Sequence, residues 1–188
     1  MSEYLQKIII VGGSAGSFKT VTGIIGALPK NYSHTIIFCL HRLRNIRSGF
    51  VEALQINSNI AILEPYDKDI ILRGKAYLAP ANYHLMFEHG NRFSLSVHDP
   101  VNHSRPSIDI CFDSAAECFR EKVIGVVLSG ANVDGSNGLF NIHLFGGQTI
   151  VQDPKDCDIS TMTKSCIKLF QPDHIFNSDE IITYISKL

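Results

Sequence analysis

The stretch IIIVGGSAGSFKT, residues Ile8 to Thr20, sets the fold. Its first four residues are β-branched and apolar, the run expected of a strand buried on both faces of a parallel sheet. A glycine-rich turn follows, and Phe18 to Leu28 then places Val21, Ile24, Ile25 and Leu28 on one helical face, with Pro29 as a stop. The same alternation returns downstream. Continuous apolar strands are expected at Thr35 to Leu40 and Val123 to Leu128, and further strands at Gly147 to Val151 and, shorter, at Ala61 to Leu63. Helices are expected at Gly49 to Ile56, Pro106 to about Phe119, Gly138 to Leu144, Ser160 to Leu169 and Glu180 to Leu188. Strands and helices in this order predict an α/β fold: a doubly wound, mostly parallel sheet flanked by helices. Between about residues 75 and 97 the character changes. Tyr83 to Phe87 and Arg92 to Val97 flank His89-Gly90-Asn91, which predicts an antiparallel hairpin on the edge of that sheet.

Composition narrows the function classes. The chain has 188 residues, 45% of them apolar, enough for one domain with a substantial core. Seventeen basic and 18 acidic residues leave a formal charge of −1, so nothing draws the chain as a whole to nucleic acid. Five cysteines without a CxxC read as free thiols in a reducing compartment. No apolar stretch approaches the length of a signal peptide or a membrane span, and a cytoplasmic location without membrane insertion is expected.

Three chemistries compete for the first loop. A phosphate-binding loop counted from Gly13 finds Lys19 and Thr20 in register but Phe18 where the second glycine belongs. A phenyl-bearing Cβ resists the backbone curl that glycine permits there. The dinucleotide fingerprint fails because Gly12 and Gly13 are adjacent and the second strand, Thr35-Ile-Ile-Phe38, lacks the acidic residue that would hold a ribose. The third reading makes Ser14 a nucleophile on a tight strand-to-helix bend, with helix capping as its structural alternative. Its partners would come from other strand ends on the same rim. His41 directly follows Thr35 to Leu40, and Asp134 follows Leu128 by six residues. Serine, histidine and aspartate so placed are the elements of acyl-transfer catalysis. Residue types alone leave other histidines, such as His84 and His103, in contention.

Four blocks now resemble the catalytic domain of the chemotaxis protein-glutamate methylesterase (CheB) family. They are Ile10-Val-Gly-Gly-Ser-Ala-Gly-Ser17, Lys75-Ala-Tyr-Leu-Ala-Pro-Ala-Asn-Tyr-His-Leu85, Arg105-Pro-Ser-Ile-Asp109 ahead of Ser114-Ala-Ala116, and Val123-Ile-Gly-Val-Val-Leu-Ser-Gly-Ala-Asn-Val-Asp-Gly135. Gly146-Gly-Gln-Thr-Ile-Val-Gln-Asp-Pro154 is also typical. The resemblance covers nearly the whole chain. It implies a Ser–His–Asp triad with Ser14 as nucleophile, His41 as base and Asp134 as orienting acid. It also implies an oxyanion site and rim from Ala15, Gly130 and Ala131. The chain departs from the family where Gly-Met-Gly becomes Gly130-Ala131-Asn132, where Met-Pro after the histidine becomes Arg42-Leu43, and where Gly-Met-Pro becomes Thr161-Met162-Thr163.

The implied reaction is hydrolysis of glutamate methyl esters on the cytoplasmic helices of chemoreceptors, with receptor glutamine deamidation as a related acyl chemistry. No metal or cofactor is needed. Arg42, Arg44 and Arg47, with Asn82 and His84, are candidates for docking the substrate. Residues 1–188 are expected to be a single catalytic domain without the receiver domain that commonly precedes it in the family, so a separate regulatory protein is a further expected partner. The alternatives are a catalytically weak or inactive signalling domain that binds receptor or partner protein, and a small-molecule esterase.

Overall fold

The computed structural model describes residues 6–41 and 49–188. Nine strands and six α-helices lie among them. They run β1 (Ile8–Gly13), α1 (Phe18–Ala27), β2 (Thr35–Leu40), α2 (Phe50–Gln55), β3 (Ile62–Leu63), β4 (Ala76–Leu78), β5 (His84–Glu88), β6 (Arg92–Ser96), α3 (Ile108–Phe119), β7 (Val123–Val127), α4 (Ser136–Leu144), β8 (Gln148–Gln152), α5 (Thr161–Leu169), β9 (His174–Phe176) and α6 (Ser178–Ser186). Seven strands form one sheet in the order β3-β4-β2-β1-β7-β8-β9, and every pairing in it is parallel.

Every residue of β1, β2 and β7 is buried, which is why these strands read as unbroken apolar runs. Their alternate side chains feed two cores. Ile8 and Ile10 join Phe112, Leu139, Ile142, Met162 and Cys166 beneath α3, α4 and α5. Ile9 and Val11 join Val21, Ile24, Leu54, Ile181 and Ile185 beneath α1, α2 and α6. The doubly wound reading holds. Strand order reverses between β1 and β7, so their carboxyl ends border the crevice where open α/β sheets bind ligands.

Several expected boundaries move for local reasons. Residues 76–78 of the segment assigned to the hairpin are β4, a parallel strand of the main sheet. The hairpin itself, β5 and β6, is a separate two-stranded sheet and not an edge of the large one. Its Leu85, Phe87 and Phe93 reach the core with Phe112 and Phe119, so α3 covers it. Pro106 does not open α3. Ser107 does, with extended backbone (φ −95°, ψ 135°) and an Oγ that accepts from Ile110 N–H. The edge strand β9 was not expected; three residues are too few to show a period. None of the five cysteines, all among the described residues, is in a disulfide, and Cys39, Cys111 and Cys166 are buried. Among the described residues no helix is long and apolar enough to cross a membrane.

Candidate active site

Parallel pairing brings Ser14 and His41 to the same rim. Gly13 pairs with Leu40, and one residue further each chain leaves the sheet as Ser14 and His41. His41 N–H donates to Gly13 O (3.1 Å), continuing the register past the strand ends. Ser14 is held through its backbone, donating N–H to Ser129 O (2.9 Å) and accepting from Ser17 N–H (3.1 Å) and Ser17 Oγ (2.7 Å). Ser17, not Ser14, is the residue at the cap position of α1, so the capping alternative falls away. Among the described residues no hydrogen bond joins the Ser14 and His41 side chains.

The bend that carries Ser14 is tightly packed. Gly16 has φ +84°, and a Cβ there would stand 2.6 Å from Ser129 Oγ and 2.7 Å from Asp158 Cβ. Ser129 is the clamp: its Oγ donates to Ala15 O (2.8 Å) or Ile159 O (3.0 Å) and accepts from Ile159 N–H (3.1 Å). Gln152 Oε1, at the end of β8, fixes Ser129 in turn by accepting its N–H (2.9 Å).

Asp134 is fully buried and collects donors from three directions. His41 Nε2 lies 2.8 Å from its Oδ2. The first turn of α3 supplies Ile108 N–H (2.7 Å) and Asp109 N–H (3.2 Å), and Ser107 Oγ–H adds a bond of 2.9 Å. Asn102 Nδ2 bridges Asp134 Oδ1 (3.2 Å) and Asp109 Oδ2 (3.1 Å). The carboxylate thus sits where free N–H groups and the helix dipole both favour negative charge. Burial alone would raise the Asp134 pKa, but the bonds from His41, Ile108 and Asp109 outweigh it and hold the group below the usual carboxylate value. Asp109 moves the other way. Burial, reinforced by the charge of Asp134, pushes it up to about 6 against the N–H bond from Gly138.

Sequence reasoning missed the residues that support this centre. Val101 and Ser104 exchange backbone hydrogen bonds (3.2 and 2.9 Å) around Asn102 and His103, whose φ values are +49° and +62°. Two left-handed residues in a two-residue turn define type I′, which favours asparagine in its first position. This turn lifts Ser104 Oγ to 3.3 Å from His41 Nδ1. Asn132 ties the turn to the Asp134 loop, donating from Nδ2 to Asn102 O and Ser104 Oγ (3.4 Å each) and accepting Asp134 N–H (3.2 Å). Ser107 was visible as a serine ahead of an apolar helix. Asn102 and Ser104 carried no signal beyond lying in a loop.

The other expected residues divide. Ala15 and Ala131 are exposed, and their N–H groups make no hydrogen bond among the described residues. Gly130 N–H donates to Ile159 O (3.0 Å), so it is not a free oxyanion donor; Gly130 instead packs against Met162, which would lie 2.6 Å from a Cβ. His84 cannot dock a substrate, because it is fully buried and both ring nitrogens are bound. Nδ1 accepts from Ser107 N–H (3.2 Å), which leaves Nε2–H to donate to Asp99 O (3.0 Å). Asn82 is a left-handed turn residue ahead of β5. Arg42, Arg44 and Arg47 lie outside the described residues. Among the described residues, no group of three or more His, Cys, Asp or Glu is placed to hold a metal ion.

A parallel sheet with a histidine–aspartate pair and a serine on one rim, at the switch point, fits an α/β-fold enzyme of the hydrolase class. The chain belongs to the CheB methylesterase family, whose model matches residues 9–185. It is similar to a provisionally named protein-glutamate methylesterase/protein-glutamine glutaminase of Leptospira interrogans, with 37% identity over 182 residues, 97% of this chain and 94% of the relative. A protein-glutamate methylesterase/protein-glutamine glutaminase of Thermotoga maritima is 31% identical over 178 residues; the match takes in 93% of this chain but about half, 52%, of that relative's length. The crystal structure of the Thermotoga maritima CheB methylesterase catalytic domain superposes with a TM-score of 0.92 at 30% identity, covering 97% of this chain and 98% of that one.

Proposed function

We propose that the chain hydrolyses glutamate methyl esters on the cytoplasmic helices of chemoreceptors by acyl transfer through Ser14, His41 and Asp134, and that it deamidates receptor glutamines by the same route. The observation that carries the reading is the 2.8 Å bond from His41 Nε2 to Asp134 Oδ2, on the rim where Ser14 leaves the adjacent strand. An ionised Asp134 only accepts, so it fixes the imidazole proton on Nε2 and leaves Nδ1 as the base. Nδ1 takes the Ser14 proton as Oγ attacks the ester carbonyl. The N–H groups of Ala15 and Ala131, two exposed residues, receive the oxyanion. Methanol leaves with the proton from Nδ1, and the glutamyl-serine ester is opened by water that His41 activates. Arg42, Arg44 and Arg47, which follow His41 in the sequence, attract the acidic receptor surface.

The test is methanol release from methylated receptor membranes. Wild type should release it, and S14A should reduce release to background while unfolding in urea at nearly the wild-type midpoint, because the bonds that hold Ser14 are made by its backbone and survive in alanine. Equal turnover by S14A would remove Ser14 from the mechanism. Receptor binding without turnover in wild type would favour the signalling-domain reading instead.

A further inference from the structure

We infer that Ser104 is a positioning residue for His41, whose hydroxyl holds the base nitrogen Nδ1 in both of its protonation states. The inference rests on the reading of His41 as the base. With the proton of the neutral ring on Nε2, Nδ1 offers a lone pair, and the Ser104 hydroxyl 3.3 Å away is its donor. Among the described residues, Ser104 is the one side chain hydrogen-bonded to Nδ1. Its oxygen can at the same time accept from Asn132 Nδ2 at 3.4 Å.

Nδ1 has one lone pair, so the Ser104 hydroxyl must release it before Ser14 can pass its proton there. Once Nδ1 is protonated, the polarity of the contact reverses, and the site provides for both. Ser104 Oγ also lies 3.4 Å from Asn102 O. The hydroxyl proton can swing to that carbonyl, and the oxygen then accepts from Nδ1–H. No heavy atom needs to move. The rigid support is the type I′ turn, in which two non-glycine residues, Asn102 and His103, hold left-handed backbone directly before Ser104. Such conformations persist only where their surroundings enforce them. Here the enforcing contacts are the Val101–Ser104 backbone pair and the Asn102 amide on two carboxylates.

The test pairs a spectroscopic reading with kinetics. Protein with 15N-labelled histidine is examined at a pH where the His41 ring is neutral, with His41 assigned through H41Q. Wild type should show a protonated Nε2 and an Nδ1 resonance displaced upfield by the bond it accepts. S104A should move that resonance downfield, and S104T should restore it. The isosteric pair S104T and S104V guards against a packing defect: valine should behave like alanine. On methylated receptor, S104A and S104V should lower kcat about tenfold, with KM within about twofold, since a hydrogen bond to the charged ring is lost. An Nδ1 resonance unmoved in S104A and S104V overturns the inference, as does a kcat that holds or rises. The spectra need no substrate, so they decide the role of Ser104 even if wild type fails to release methanol.

Discussion

At the scale of single residues, two carboxyls joined by one amide are driven apart. Asn102 Nδ2 touches both Asp134 and Asp109, and each meets a helix N-terminus, but Asp134 gathers Ile108 N–H, Asp109 N–H and His41 while Asp109 has Gly138 N–H and no histidine. Asp109, raised to about 6 from an unfolded-chain value near 3.8, keeps its proton longer when folded. The sign of its effect follows. Its contribution to stability is complete below about pH 4 and is lost as pH rises through about 6. Asp134, held low, contributes the opposite slope at lower pH, adding stability that disappears as the medium becomes acidic. Wild type should therefore lose about 1–3 kcal/mol relative to D109N between roughly pH 4 and pH 7. Urea unfolding of both proteins across that range reads the difference, and parallel curves would refute the assignment.

At the scale of elements, α3 depends on the site as much as the site depends on α3. Ser107 caps the helix and also donates to Asp134, from a fully buried position. S107A loses both roles and should cost about 2–4 kcal/mol in urea unfolding, more than an exposed cap, because a bond to a charged group goes with it. A cost within the range of an ordinary cap would mean that Asp134 is insensitive to this donor. The elements also mark how far the sequence was legible. β1, β2 and β7 were readable because strands buried on both faces are apolar nearly throughout, and β8 from its Thr149-Ile150-Val151 centre. The shared rim position of Ser14, His41 and Asp134 was readable because each directly follows such a strand or lies in the loop beyond it. Asn102, Ser104 and Asn132 were not. Their roles come from a turn whose place beside His41 is fixed by α3 and β7, and no local pattern encodes that. His84 misled for a related reason: a histidine at a strand start looks the same whether it faces a cleft or, as here, the backbone of Ser107 and Asp99.

At the scale of the whole molecule, a net charge of −1 provides no general attraction to an acidic partner, so any steering must be local. If Arg42, Arg44 and Arg47 supply it, replacing all three by glutamine should reduce receptor turnover at low salt and flatten its salt dependence, with hydrolysis of a small uncharged ester nearly unchanged. Assays of both substrates across a salt series check this, and a parallel fall in the two activities would exclude docking. The sheet order has another consequence, in time. β1 pairs with β2 on one side, but its other neighbour is β7, and Ile8 meets Val123 only after 115 further residues have been made. At ~5–20 residues per second, the nascent chain waits roughly 6–23 seconds with that edge of its central strand open. An unpaired, wholly apolar edge invites association with other chains. Asp134 emerges 93 residues after His41, and over that interval the newborn chain carries Ser14 and His41 with no carboxylate to hold the ring. On the proposed mechanism, chemistry waits until the loop after β7 has been made.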